Sequence, residues 1–331
     1  MDCSEALRAY ERTLVEAREF RILGSTEVAV EVIRALARVV GSCHKQPINM
    51  EGLVRSAISA RPTSQAVRNL LMLFFEKLLE KASTPSEIAA EVSEVVREVE
   101  NYVARARDTV SELASRRIED GDTVMTHSYS TTVLKVLTKA LERGLNISAY
   151  VTESRPGGEG KLTASHLGRM GVKTFLVVDS AARYVMKGVD KVIVSAEAIA
   201  ANGAVVNKVG TSALALAAKE ARVRVYVVSG LYKFGTETLF GELVTIEEIE
   251  KPDFIIPSER IGELAPFIGR NLHVRTPLYD VTPPEYIDAI VTERGLIAPQ
   301  AAIYLARELV GWPKARRSLD VVLAEVASLW R

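Results

Sequence analysis

Cysteine is nearly missing: Cys3 and Cys43 are the two present in 331 residues. Two thiols are too few for a disulfide framework or a zinc site of their own, and such scarcity fits a reducing, cytoplasmic setting. Long apolar runs are missing too. Among the longest is Leu70-Leu71-Met72-Leu73-Phe74-Phe75, far short of the ~20 residues that span a bilayer. Residues 1–20 are charged from Asp2 onward and hold no apolar signal core. Net charge is absent as well, with 42 Lys and Arg against 42 Asp and Glu. That balance argues against a protein that coats nucleic acid, because phosphate binding draws on a basic surplus. No G-x-G-x-x-G follows the first predicted strand, and the chain has neither a Walker lysine motif nor a nucleophile elbow. Nicotinamide binding, P-loop hydrolysis and serine hydrolase chemistry lose their support. The expectation is a soluble intracellular protein with no membrane, direct nucleic-acid or metal partner and no cofactor.

What is present is an ordinary globular composition, 48% hydrophobic and 25% charged, whose periodicity changes near residue 118. Before it, apolar residues recur every three or four positions, as in Val28, Val32, Leu36, Val39 and Val40. Thr84 and Pro85 have the chemistry of a helix start, ahead of an apolar face running from Ile88 to Val103. After it, β-rich runs at Thr123–His127, Ile147–Thr152, Thr174–Asp179, Lys191–Ala196 and Val223–Val228 alternate with helical patterns. A further strand pair is read at Asp253–Ile256 and Asp288–Thr292, and helices at Pro299–Leu309 and Ser318–Trp330. Strands alternating with helices predict a mostly parallel sheet covered on both faces. The fold class is therefore α/β, with an all-helical domain at 1–117 and a doubly wound, Rossmann-like domain at 118–331.

Ligands of such sheets gather beyond the carboxyl ends of the strands. The residues there are Thr126-His127-Ser128-Tyr129-Ser130, then Glu153-Ser154-Arg155-Pro156, Asp179-Ser180, Glu197 with Asn207-Lys208, and Tyr232-Lys233-Phe234. Cations and hydroxyls beside helix N-termini suit a phosphorylated small molecule. Blander readings stand beside this one. Gly210-Thr211 would serve equally as a helix cap, His127 as a buried strand-end histidine, and Thr245–Glu250 as a solvated helix face. His44, His166 and His273 have no metal-ligand spacing.

The strings THSYS (126–130), VTESRP (151–156), VVDSAARYVM (177–186), SAEAIAANGAVVNKVGT (195–211), YKF (232–234) and YDVTPPEYIDAIVTERG (279–295) occur together in this order. Together they resemble the alpha, beta and delta regulatory subunits of translation initiation factor 2B. That family also contains isomerases of ribose-1,5-bisphosphate and methylthioribose-1-phosphate. The resemblance implies ligand contacts from Gly24, Ser25, Arg61, Thr63, His127, Tyr129, Ser130, Arg155, Glu197, Asn207, Lys208 and Lys233. The family's isomerases carry a cysteine after the first strand and an aspartate after the fourth; here Ser128 and Glu197 stand there. A hydroxyl holds its proton far more tightly than a thiol, so the altered pair implies a regulatory subunit, most like alpha. Such a subunit would bind a sugar phosphate or nucleotide monophosphate without converting it, pair with itself, and dock the initiation factor 2 alpha subunit. A working sugar-phosphate isomerase is the alternative. Trp312 and Trp330 are candidates for the self-pairing surface.

Overall fold

The structure, a computed structural model, describes residues 2–235, 238–239, 243–250, 252–256, 258–309 and 319–330. Helices α1 (Cys3–Arg18), α2 (Ser25–Cys43), α3 (Met50–Ala60), α4 (Gln65–Lys81) and α5 (Pro85–Ser115) open the chain. All but α2 start at a side chain that accepts a free N–H of the first turn: Asp2, Asn49, Ser64 and Thr84. At α5, Thr84 and Glu87 cap one another's backbone and Pro85 takes the first helical position. The α2 start is different. Gly24 precedes it at φ +84° with no side-chain cap. The predicted apolar stripe of α2, from Val28 to Val40, is buried.

Cys3 and Cys43 meet in this core as a disulfide. The α1–α2 packing brings the two sulfurs together as one bond, not a framework. The bond closes a 40-residue separation, worth about 4 kcal/mol of chain entropy. At roughly 1.4 °C per kcal/mol for a chain of this length, reduction is expected to lower the melting temperature by about 6 °C. Thermal unfolding with and without reductant measures this, and coincident midpoints would refute it.

The remaining helices are α6 (Thr131–Glu142), α7 (Gly160–Arg169), α8 (Ala182–Val185), α9 (Thr211–Ala221), α10 (Ser258–Leu264), α11 (Ala302–Leu309) and α12 (Leu319–Leu329). The first strands are β1 (Thr123–Thr126), β2 (Ser148–Thr152), β3 (Lys173–Val177), β4 (Lys191–Val194), β5 (Ala198–Ile199) and β6 (Val205–Lys208). They are followed by β7 (Arg224–Val228), β8 (Glu248–Ile249), β9 (Thr276–Pro277), β10 (Tyr279–Thr282), β11 (Ala289–Thr292) and β12 (Gly295–Ile297). Seven of them form one sheet in the order β12-β11-β7-β4-β1-β2-β3, parallel except for the β11–β12 hairpin.

Side chains alternate across this sheet with the period of a strand. Met125, Val192, Val194, Val225 and Val227 pack with Leu214 and Ala218 on one face. Val124, Ile193, Tyr226 and Val228 pack with Val133 and Leu137 on the other. The doubly wound α/β class stands. A smaller antiparallel sheet, β10-β6-β5, sets Asp280 opposite Asn207 and Tyr279 opposite Lys208.

Two details depart from expectation. Residues 252–254 form a 3-10 turn rather than a strand, and β11 pairs with β7 instead. The apolar character of Asp253–Ile256 fits a packed turn as well as a strand. In addition, α12 packs Val322, Leu323 and Val326, followed by Trp330, into the helical core, while Val110 and Ala114 of α5 reach the core under the sheet. Chain segments thus cross the division at 117/118 in both directions. Trp312 lies outside the described residues. Among the described residues no helix is long and apolar enough to cross a membrane.

Candidate active site at the reversal of strand order

Strand order reverses between β1 and β4: β2 and β3 lie to one side of β1, and β4, β7 and β11 to the other. The loops leaving two strands that diverge in this way part from each other, which opens a crevice at their carboxyl ends. A pocket of about 690 Å³, counting its open mouth, lies there. His127, Ser128, Tyr129 and Ser130 enter from β1, Ser195 to Glu197 from β4, and Asn207 and Lys208 from β6. Gly24 and Ser25 come from the α2 start, Arg61 from the α3–α4 turn, and Lys233 from the turn after β7.

Each cation already has a protein partner. Lys208 Nζ donates to Glu159 Oε1 at 2.6 Å, and Lys233 Nζ donates to the Ala196 carbonyl at 2.7 Å. Burial lowers the Lys233 pKa, with Glu197 opposing the shift. Arg61 is 3% exposed. Its Nη2 donates to the Tyr279 hydroxyl at 2.5 Å and lies 3.6 Å from Glu197 Oε1. Its Nε is 3.9 Å from Glu247 Oε1, and the guanidinium stacks 4.2 Å from the Phe20 ring centre.

Several buried polar atoms here lack a hydrogen-bond partner: Ser25 Oγ, Arg61 Nε and Nη1, Glu159 Oε2, Glu197 Oε1 and Glu247 Oε2. Buried polar atoms are normally paired, and an unpaired one costs ~1–3 kcal/mol. A cluster of them in one crevice is the signature of a surface shaped for a polar ligand.

His127 is occupied on both sides. Nε2 faces the Val209 carbonyl at 2.8 Å and must donate to it, so Nδ1 accepts from the Thr152 hydroxyl at 2.6 Å. Burial holds its pKa below the usual value. The ring is a neutral tie between β1, β2 and the loop after β6, not a free proton carrier. Gly210 makes that tie possible, since a Cβ there would lie 2.9 Å from the ring. Ser128 sits at φ +68°, its N–H held by Ser154 Oγ at 2.7 Å. Asn207 Nδ2 donates to Thr211 Oγ1 at 3.1 Å, and Ser130 Oγ caps α6.

Thr63 and Arg155 are not among the residues lining this pocket. Thr63 Oγ1 donates to the Thr245 carbonyl and accepts from the Glu247 N–H, anchoring that segment. Arg155 is exposed and bonds the Phe254 carbonyl at 2.6 Å. The N-terminus of α9 is also taken, because Asp280 accepts from the N–H groups of Gly210 and Ser212.

Sequence reasoning missed Glu27, Glu159, Tyr279 and Glu247. Glu27 pairs with Arg107 at 2.6 Å and accepts from Thr131 at 2.9 Å on the pocket wall. Thr245–Glu250 is not a solvated helix face. It is extended, ends in β8, and is laid against the α3–α4 turn by Thr63, which buries Glu247 beside Arg61. The acidic run itself signals only charge, and the string that holds Tyr279 carries the resemblance without pointing to a role.

Burial pushes the Glu247 carboxyl up to about 7, with Arg61 opposing and Glu197 adding to the shift. A carboxyl whose pKa is higher folded than unfolded stabilises at low pH, and that contribution is lost as pH rises from about 4.5 through 7. Relative to wild type, Glu247→Gln should therefore gain roughly 3 kcal/mol between pH 4.5 and pH 8. Urea unfolding of both proteins at the two pH values checks the difference. Parallel pH dependences would refute the burial argument.

The fold that forms this crevice has known relatives. A sequence profile of the Initiation factor 2 subunit family matches residues 21–299, and the chain belongs to that family. Within it, the chain is 38% identical to the ribose 1,5-bisphosphate isomerase of Thermococcus kodakarensis, over 80% of this chain and 81% of the relative. It is 37% identical to the enzyme of that name from Archaeoglobus fulgidus, over 93% and 94%. The solved translation initiation factor eIF-2B of Pyrococcus horikoshii superposes with a TM-score of 0.74 at 26% identity, covering 89% of this chain and 98% of that one. The methylthioribose 1-phosphate isomerase of Pyrococcus horikoshii shares the fold, with a TM-score of 0.68 at 22% identity, over 91% and 87%.

These relatives overturn the regulatory-subunit expectation. Curated proteins at 34–39% identity over most of the chain are named ribose 1,5-bisphosphate isomerase. The expectation gave the Ser128/Glu197 difference that the resemblance implies more weight than the likeness of the chain as a whole.

Proposed function

We propose that this protein isomerises a pentose bisphosphate from aldose to ketose, with ribose 1,5-bisphosphate as substrate. The carrying observation is Glu197, a buried carboxylate whose Oε1 takes no hydrogen bond and lies 3.6 Å from Arg61, set at the strand-order reversal among three cations. The isomerisation is redox-neutral. The C1–O4 bond breaks with its electron pair going to O4, which takes a proton. C2 loses its proton to give the C1=C2 enol with the phosphate still on C1. C1 then gains a proton as the C2 hydroxyl loses one, so that the carbonyl ends at C2. One well-placed carboxylate can take the first proton and return it. In this reading Glu197 is that group.

Lys208 and the open N-terminus of α2, with Gly24, Ser25 and its unpartnered hydroxyl, hold the two phosphates. Arg61 and Lys233 supply positive charge around the enolate oxygen that develops on C2, and Asn207 orients a sugar hydroxyl. Ser128, Tyr129 and Ser130 offer hydroxyls along the β1 side. Ser128 donates a hydrogen bond where the family's isomerases carry a titrating thiol. Thr63 supports the site through Glu247, His127 through Val209, and Arg155 stands outside it.

Pairing with a second copy of the chain belongs to the same proposal. The edge strand β3 and the residue after it favour that pairing, with Phe175, Leu176 and Val178 39%, 48% and 54% exposed. Docking of the initiation factor 2 alpha subunit went with the regulatory reading and is not carried forward.

The test is incubation with ribose 1,5-bisphosphate and detection of ribulose 1,5-bisphosphate, with ribose 5-phosphate as control. A folded protein that binds the bisphosphate and leaves it unchanged would overturn the proposal.

A further inference from the structure

Glu159 has no structural duty that accounts for its position. It precedes α7 as the N-cap residue, yet its side chain caps no N–H. The first N–H groups of α7 go to main-chain carbonyls instead: Gly160 to Glu153 and Lys161 to Gly158. The carboxylate turns into the pocket, where Oε1 takes Lys208 Nζ at 2.6 Å with the two side chains 14% and 8% exposed. The other oxygen, Oε2, is buried without a partner.

The loop is shaped around this arrangement. A Cβ at Gly157 would lie 2.5 Å from Glu159 Oε1, and Gly158 sits at φ +75°. Gly160 then presses α7 onto β2, where a Cβ would lie 1.8 Å from the Thr152 carbonyl. Glu159 is thus carried between a pliable pair of glycines and a fixed one.

A carboxylate and a phosphate oxygen make the same charge-assisted bond to an ammonium group. We propose that Glu159 occupies on Lys208 the place that a substrate phosphate takes, so that binding exchanges carboxylate for phosphate and Glu159 sets the affinity. Without Glu159, Lys208 would be a buried and unpaired charge in the empty pocket, which is costly. With it, the pocket stays neutral and selects ligands whose phosphate outcompetes a tethered carboxylate. The identity of the phosphate ester rests on the isomerase reading, whereas the exchange does not.

The test is calorimetric titration of the full-length protein and its Glu159→Gln variant with inorganic phosphate, followed by turnover of ribose 1,5-bisphosphate. Glu159→Gln is expected to bind phosphate roughly tenfold tighter, the scale of one charge-assisted hydrogen bond, and to show a lower KM. Glu159→Ala should shift both in the same direction, which guards against a local effect of the amide. Phosphate bound no tighter by either variant, or a kcat lost at unchanged KM, overturns the exchange. Turnover by wild type with no gain in the variants removes the exchange and leaves the isomerase. Tighter phosphate binding with no turnover in any of the proteins leaves the exchange and removes the isomerase.

Discussion

Glu197→Gln is expected to lower kcat on ribose 1,5-bisphosphate by about 10²- to 10⁴-fold, the range that a positioned general base contributes. The amide keeps the size of the side chain and its hydrogen-bonding capacity but cannot take a proton from carbon. Its placement should survive, because the backbone there is fixed independently. The Glu197 N–H donates to the Val206 carbonyl at 2.8 Å, and Lys233 holds the neighbouring Ala196 carbonyl. Two companions sharpen the result. Glu197→Asp moves the carboxylate back by about 1.5 Å, one C–C bond, to the arm length the resemblance implies for the family's isomerases, and should retain far more activity than the amide. Ser128→Ala should cost less than Glu197→Gln, since it removes a hydrogen bond rather than the proton carrier. Steady-state assays of the three variants decide this. A Glu197→Gln enzyme at wild-type kcat would remove Glu197 from the chemistry.

Much of this site was legible because sheet topology is written in local patterns. The apolar runs of β1, β4 and β7 identify buried parallel strands, so whatever follows them must lie on one rim; Ser128, Glu197 and Lys233 were found in that way. What was not legible depends on long-range contact. Glu247 reads as one more acidic surface residue until Thr63 pulls its backbone against the α3–α4 turn. Tyr279 faces Arg61 because β10 pairs with β6 in antiparallel register, and nothing local announces that register. The disulfide has the same cause. Cys3 and Cys43 lie on helices whose packing brings their backbones together, while each cysteine alone has an ordinary helical setting. The functional miss is of another kind: a two-residue difference implied by the resemblance outweighs, in the sequence reading, the likeness of the chain as a whole to named isomerases.

Arg61→Met is expected to be the most destabilising change in the crevice, by roughly 3–5 kcal/mol at pH 8. The reason lies in what it leaves behind. Glu197 and Glu247 have side chains 9% and 13% exposed and share this one guanidinium at 3.6 and 3.9 Å. The Tyr279 hydroxyl also loses its donor, and Phe20 loses the cation stacked on its ring. Methionine fills the volume but compensates neither carboxylate. The loss should shrink toward pH 5, below the value of about 7 to which burial pushes the Glu247 carboxyl, because Glu247 then protonates and the missing cation matters less. It should also shrink when Glu247→Gln is added to Arg61→Met, because one of the stranded charges is then gone. A coupling of ~1–3 kcal/mol between the two substitutions follows for residues sharing one charge network. Urea unfolding of wild type, both single variants and the double variant at pH 8 and pH 5 measures each of these quantities. Additive effects at both pH values would mean that Arg61 acts through packing alone. In that case the crevice would owe its shape to Phe20 and Tyr279 rather than to the charge of Arg61.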